Sequence, residues 1–123
     1  PDNKLHKMGL QKLQKMVSTE LQVAQKYYQI LSVLNDLKLS EGDIQLIAYI
    51  AIKGNLSDEG VREEFCKEYS TSNATINNMV YRLKKKHIFQ KEGSKIFVNP
   101  VLTSLSFKEE VTLLIKLNVE IKL

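Results

Sequence analysis

The fold is decided by residues 70–89, STSNATINNMVYRLKKKHIF. Ser72 stands where a helix would begin, because a serine side chain at that position accepts a hydrogen bond from a free backbone N–H group. Apolar residues then recur at steps of three and four, and those predicted to face the core are Ile76, Met79 or Val80, and Leu83. The spacing predicts a helix over 72–86 whose outward face is polar: Asn73, Thr75, Asn77, Asn78, Tyr81, Arg82 and Lys85.

Two helices are predicted before this one. Ser40 is a candidate N-cap of the first, and Asp43 three residues later is close to the capping-box pattern. Gly54 is a natural stop for this helix. The second helix is predicted to begin at Ser57 as its cap, to have an acidic first turn and to end near Tyr69. The predicted apolar faces are Ile44, Ile47, Ala48, Ile50 and Ala51 in the first helix and Val61, Phe65 and Cys66 in the second.

A β-hairpin is predicted after His87. Two short β-rich runs, 88–91 and 95–99, lie on either side of Glu92-Gly93-Ser94, and Pro100 ends the second run.

The two ends of the chain are predicted to extend this unit. From residue 9 to residue 37 the apolar residues follow a helical period, with a possible break at Ser18-Thr19: Leu13, Met16, Val17, Leu21, Ala24, Tyr27, Tyr28, Leu31 and Leu34. This helix is long for a small core, so part of it is expected to pack on another subunit. The chain is therefore divided into an N-terminal helix for oligomerisation (1–38), a central domain (39–100) and a C-terminal extension (101–123).

The C-terminal extension admits two interpretations. Apolar and polar residues alternate from Val111 to Leu123, broken only by Leu114, and this period favours a half-buried β-strand. Alternatively, Ser106 and Glu109 form a capping box that begins a helix. A strand here would pair with a short strand before the second helix or with residues 103–107 in a local hairpin, or it would add to the sheet of another protein or of a second copy.

Composition excludes several classes of protein. The chain has 123 residues, of which 43% are hydrophobic and 26% charged, as in soluble globular domains. The longest apolar run, residues 46–52, is far shorter than the roughly 20 residues of a membrane span. With no leader-like N-terminus, the expected location is cytoplasmic, or a virion or host cytoplasm if the chain is viral. Abundant Lys, Asn and Ile suggest an AT-rich genome, such as that of a phage or a low-GC bacterium.

The distribution of charge points to a polyanion as the partner. The net charge is +4 overall, but residues 31–69 carry −4 and residues 70–95 carry +5. A concentrated basic block beside an acidic segment is typical of a nucleic-acid-binding surface.

Three helices followed by a hairpin, with the basic charge on the last helix and the hairpin, resemble the winged helix-turn-helix superfamily over about residues 40–100. Ser72 and Thr75 match the start of its recognition helix, and the other matching positions are Cys66, Ile76, Leu83 and Ile88-Phe89. The chain departs from the family pattern at two places, because Tyr69-Ser70-Thr71 contains no glycine and His87 stands where a glycine is usual. The expected fold is mainly α with a small β component: a winged helix-turn-helix with a long N-terminal helix and a C-terminal strand.

The resemblance implies binding to double-stranded DNA, with helix 72–86 in the major groove and wing 88–99 on the backbone. Since asparagine pairs well with an adenine edge, the expected base-contacting residues are Asn73, Thr75, Asn77 and Asn78. The expected backbone-contacting residues are Ser72, Tyr81, Arg82, Lys84, Lys85, Lys91 and Lys95. A transcription regulator, or a phage or plasmid replication or packaging factor, would use DNA in this way.

Other chemistry has little support in the sequence. His6 and His87 have no ligand-spaced partners, and Cys66 lies on an apolar helix face, so neither a metal nor another cofactor is expected. No phosphate-binding loop or nucleophile motif is present, so no enzyme activity is expected. The alternative function is a non-catalytic assembly or adaptor protein that uses the same fold and the C-terminal strand for protein contacts.

Overall fold

The computed structural model describes residues 19–103 and 106–108. The described chain forms α1 (Glu20–Leu34), α2 (Glu41–Lys53), α3 (Val61–Tyr69) and α4 (Asn73–Lys85), then strands β1 (Phe89–Glu92) and β2 (Lys95–Val98) and a 3-10 helix (Pro100–Leu102). The two strands form one antiparallel sheet with Phe89 opposite Val98. In this part of the chain the fold is mainly α with a small β component, as the sequence predicted.

Helix α2 lies at the centre of the core. Five consecutive residues, 46–50, are buried, which a helix achieves only when neighbours cover it on several sides. Those neighbours are α1, α3, α4 and β2. The predicted stripe was therefore too narrow: Leu46 and Tyr49 belong to the core as well, whereas Ile44 and Ala51 are only half-buried.

The helix boundaries follow the predicted capping residues with one exception. Ser40 and Asp43 form a reciprocal capping box on α2, which ends at Gly54 with φ of 95°. Ser72 caps α4 by accepting a hydrogen bond from the backbone of Thr75. The prediction that Ser57 caps α3 was wrong, because α3 begins only at Val61, without a side-chain cap.

Ser57 serves instead to hold the hairpin. Its hydroxyl donates a hydrogen bond to the carbonyl of Ser94 in the hairpin turn. The neighbouring Leu56 N–H donates to the Ile96 carbonyl (2.9 Å), and the Ile96 N–H donates to Asn55 Oδ1 (2.9 Å). These hydrogen bonds hold the segment after α2 beside β2. The chain turns into α3 only after that segment, so the helix begins later in the sequence than predicted.

Helix α1 packs against α2 through residues spaced four apart. Ala24, Tyr28 and Ser32 are buried, and Thr19 forms a capping box with Gln22 at the first turn. Leu34, predicted to lie on the buried stripe, is 49% exposed because the packed face ends with Ser32. The predicted part of this helix before residue 19 lies outside the described residues.

After the hairpin, the chain packs against α1. Tyr28 donates a hydrogen bond to the Leu102 carbonyl (2.7 Å), and the Phe107 ring lies against Tyr27 and Tyr28 with centroid distances of 5.5 and 5.9 Å. The alternative strand and helix predictions for the tail beyond Lys108 fall outside the described residues.

A salt bridge between α2 and α4 fixes the last turn of α4. Arg82 donates from Nη1 to Asp43 Oδ2 (3.1 Å) and from Nη2 to Asp43 Oδ1 (3.0 Å). The same carboxylate also accepts from the Ser40 N–H at 3.1 Å, within the capping box. The Asp43 side chain is 1% exposed, whereas that of Arg82 is 50% exposed. A buried carboxylate needs these donors, because desolvation without a partner is costly.

Replacing Arg82 with Met should lower the free energy of unfolding by about 2–3 kcal/mol, because it leaves the Asp43 carboxylate buried without its cation. This is below the full cost of breaking a buried pair, since half of Arg82 is already in solvent. Lys84→Met is the matched control on the same helix and should change stability by less than about 0.5 kcal/mol. Urea denaturation measures both, and equal stability of the two variants would contradict this role for the salt bridge.

Candidate nucleic-acid interface

Helix α4 divides into an apolar face and a polar face. Ile76, Met79, Val80 and Leu83 are buried. The predicted contact residues of the helix are all exposed: Asn73, Thr75, Asn77, Asn78, Tyr81, Arg82, Lys84 and Lys85. No carboxylate occurs between residues 73 and 85, so this face presents only neutral and cationic groups.

The first turn of α4 is occupied by its own capping. Ser72 Oγ accepts from the Thr75 N–H (3.2 Å) and lies 3.1 Å from Thr75 Oγ1. Both hydroxyls retain hydrogen-bonding capacity, since each oxygen has two lone pairs and one proton. Asn73 and Asn78, by contrast, make no side-chain hydrogen bond to any other described residue.

Asn77 is held by a residue that the sequence analysis did not single out. Arg62 of α3 donates from Nη1 to Asn77 Oδ1 at 2.9 Å. The two residues are far apart in sequence, and no periodicity within either helix indicates the contact. Only the packing of α3 beside α4 brings them together.

Four predicted backbone-contacting lysines point to solvent: Lys84, Lys85, Lys91 and Lys95. Among the described residues none of them lies within salt-bridge distance of a carboxylate, where the ion pairs are Lys53–Glu64 and Arg82–Asp43. Glu92 stands opposite Lys95 in the hairpin but does not bridge to it. Lys85 Nζ lies 4.5 Å from the centroid of the Tyr81 ring, a cation–π contact that places both side chains on one patch.

Two residues of the basic block are engaged elsewhere. Arg82 is committed to Asp43 through both of its terminal nitrogens. Lys86, which follows α4, donates from Nζ to the Leu37 carbonyl at 2.7 Å. The freely available charge is therefore smaller than the net charge of the segment implies.

Helix α3 is fixed to α2 by a hydrogen-bonded cluster. Tyr49 donates to Glu64 Oε2 (2.7 Å), and Lys53 Nζ lies 3.5 Å from the same oxygen. The Tyr49 hydrogen bond and the Lys53 charge hold the pKa of the Glu64 carboxyl below its usual range. Desolvation, followed by the hydrogen bond to Glu64, raises the pKa of the Tyr49 hydroxyl. This cluster positions the helix that carries Arg62.

A left-handed residue links α4 to the hairpin. His87 has φ of 60°, its N–H donates to the Lys84 carbonyl (3.0 Å), and the Ile88 N–H donates to the Leu83 carbonyl (2.9 Å). This hydrogen-bond pair is the Schellman motif, which usually has glycine in the left-handed position. Ser70 also has a left-handed backbone, with φ of 50°, in the turn before α4. Both places where the sequence lacks an expected glycine thus keep the glycine-like conformation.

The described residues contain no group of three or more His, Cys, Asp or Glu side chains arranged to hold a metal ion. Cys66 is half-buried and packs against the core. None of the described helices has the length and apolar character needed to cross a membrane.

Comparison of the chain with protein-family models, with curated proteins and with solved structures finds no match in any of the three.

The left-handed backbone of His87 yields a stability prediction. His87→Gly should leave the free energy of unfolding unchanged or raise it by up to about 1 kcal/mol, because glycine adopts this conformation without a steric penalty. His87→Val should lower it by more than about 1 kcal/mol, since a β-branched residue is strongly disfavoured there. Thermal denaturation of the two variants tests this, and a valine variant as stable as the glycine variant would refute it.

Proposed function

We propose that the chain binds double-stranded DNA as a winged-helix protein. The observation that carries the proposal is the outward face of α4, which has exposed asparagines and lysines and no carboxylate, while the opposite face is anchored in the core. DNA carries one negative charge per phosphate whatever its base sequence, so a surface of this kind attracts any duplex.

The arrangement of the elements suits the groove geometry of duplex DNA. An α-helix with its side chains is roughly 10–12 Å across and enters the major groove, which is about 12 Å wide. Helix α4 follows α3 and is followed at once by the β1–β2 hairpin, the order of elements in winged helix-turn-helix proteins. With α4 in the groove, the hairpin would lie along the adjacent backbone.

The side chains of α4 fall into two groups by position and chemistry. Asn73, Asn77 and Asn78 on its first two turns present amide groups suited to base edges, with Thr75 between them. Lys84 and Lys85 at its end, with Lys91 and Lys95 on the hairpin, present charges suited to phosphates. Tyr81 adds a hydroxyl donor beside Lys85, and Ser72 adds another at the helix start.

Arg82 is assigned a smaller role in DNA contact than the sequence alone indicated. Its two terminal nitrogens already bind Asp43, so a phosphate would have to share or displace that carboxylate. We therefore attribute the phosphate contacts to the four exposed lysines, Lys84, Lys85, Lys91 and Lys95. The biological role most in keeping with such a module is transcription regulation, or replication or packaging of phage or plasmid DNA.

Replacing Lys84 and Lys85 with Ala should weaken binding to all DNA sequences to a similar extent and make the logarithmic salt slope less steep by about 2, because each phosphate contact contributes about 0.9. Lys86 is left intact because its hydrogen bond to Leu37 is structural. Fluorescence anisotropy with a labelled duplex, at salt concentrations from about 50 to 200 mM, measures the slope.

The control for this experiment removes the same charge elsewhere. Lys26 and Lys108 are exposed and lie off α4 and the hairpin. The double Ala variant of these two should keep the wild-type slope. A Lys84/Lys85 variant with wild-type affinity and slope would show that these lysines form only a solvated surface.

A second candidate function is assembly with a further protein chain. On α1, Ile30, Val33 and Leu34 are 37%, 77% and 49% exposed and lie one turn apart on one side of the helix. Exposed apolar side chains grouped in this way are typical of a protein contact. The simplest partner is a second copy of the chain.

Self-association through α1 predicts that Val33→Asp combined with Leu34→Asp lowers the mass of the particle to that of a monomer, because the substitution places charge in an apolar contact. Size-exclusion chromatography with light scattering measures the mass. Val101 on the 3-10 helix is 79% exposed, so Val101→Asp is the control and should keep the wild-type mass. A wild-type protein that is already monomeric would exclude this function for α1.

A further inference from the structure

The contact between Arg62 and Asn77 fixes the orientation of an amide on the proposed DNA-binding face. A guanidinium group has only donors, so the atom of Asn77 that faces Arg62 Nη1 at 2.9 Å must be the carbonyl oxygen Oδ1. The amide nitrogen, with its two hydrogens, therefore lies on the other branch of the side chain. Asn77 is exposed, so these two donors are available to a ligand.

Arg62 has no competing partner in the described part of the chain. It is half-buried on the first turn of α3 and forms no salt bridge with a described carboxylate. Among the described residues, Asn77 is therefore the side chain to which Arg62 donates. The fixing of α3 by the Tyr49–Glu64 hydrogen bond keeps the guanidinium in place beside α4.

The fixed amide has different base preferences from a free one. A free asparagine pairs with adenine by accepting from the N6 amino group and donating to N7. In Asn77 the accepting oxygen already binds a cation, which repels the positive hydrogens of an adenine amino group. The two outward donors instead match guanine, whose N7 and O6 are both acceptors on the major-groove edge.

We propose that Arg62 is a positioning residue that determines specificity: it holds Asn77 as a donor, so that the base pair facing Asn77 is preferentially one with guanine. The inference rests on the proposed DNA binding and adds to it a base preference at one position. It also replaces, for Asn77, the adenine contact expected from the residue type alone.

Selection from a pool of randomised DNA duplexes tests the preference. The wild-type protein should enrich guanine at one position, and Asn77→Ala should lose that enrichment. Arg62→Met keeps the apolar stem but removes the donors, so adenine should gain and the ratio of guanine to adenine should fall by about tenfold, within the range that one bidentate contact provides. Lys67→Met removes an equal charge from an exposed position of the same helix and should select as the wild type does.

Two results would overturn the inference while leaving DNA binding intact. One is the same base preference in the wild type and in Arg62→Met, and the other is adenine at the Asn77-dependent position in the wild type. Failure of the wild type to bind any duplex would overturn the proposed function and the base preference together.

The positioning itself has a readout that needs no DNA. In the ¹H–¹⁵N spectrum of the free protein, Arg62→Met should shift the side-chain amide pair of Asn77 clearly more than that of Asn78, whose side chain makes no described hydrogen bond. Equal or negligible shifts of the two pairs would overturn the positioning role, whatever the outcome of the selection.

Discussion

The carboxylate of Asp43 is the point at which the positions of α2 and α4 are fixed relative to each other. It accepts hydrogen bonds from the N–H of Ser40 and from both terminal nitrogens of Arg82 while almost wholly removed from water. One acidic group thus begins the central helix of the core and holds the last turn of the helix proposed to bind DNA. Loss of Arg82 leaves the buried carboxylate without its cation, so the two helices are coupled energetically as well as sterically.

The use of Arg82 as an anchor also decides which side chains of α4 are available to a ligand. Because Arg82 anchors the helix, the charges exposed to solvent come from lysines. A lysine carries its ammonium group on a flexible stem and imposes no fixed geometry on its partner, so it suits sequence-independent contact with phosphates. The asparagines on the first two turns are the groups suited to base edges, and Arg62 constrains the middle one. A hairpin held at its turn by Ser57 and at its strand β2 by Asn55 and Leu56 carries two further exposed lysines, Lys91 and Lys95.

Local signals predicted most of the described fold. The Ser40–Asp43 capping box, the stop at Gly54 and the cap at Ser72 are each decided within four residues of sequence, where hydrogen-bonding rules are strong. Contacts between distant segments could not be predicted in this way. Ser57 was assigned to a helix cap because its binding to the hairpin turn depends on tertiary packing, and the Arg82–Asp43 and Arg62–Asn77 pairs join residues on different helices.

The central claim, binding to duplex DNA through phosphate contacts, is tested most directly by fluorescence anisotropy of a labelled random-sequence duplex with the wild-type protein at increasing salt. Contacts from the four exposed lysines predict a logarithmic slope of about −3 to −4, so that affinity, micromolar or tighter at about 50 mM salt, falls roughly 100-fold by 200 mM. Absence of binding at the lowest salt, or binding that does not respond to salt, would contradict the account.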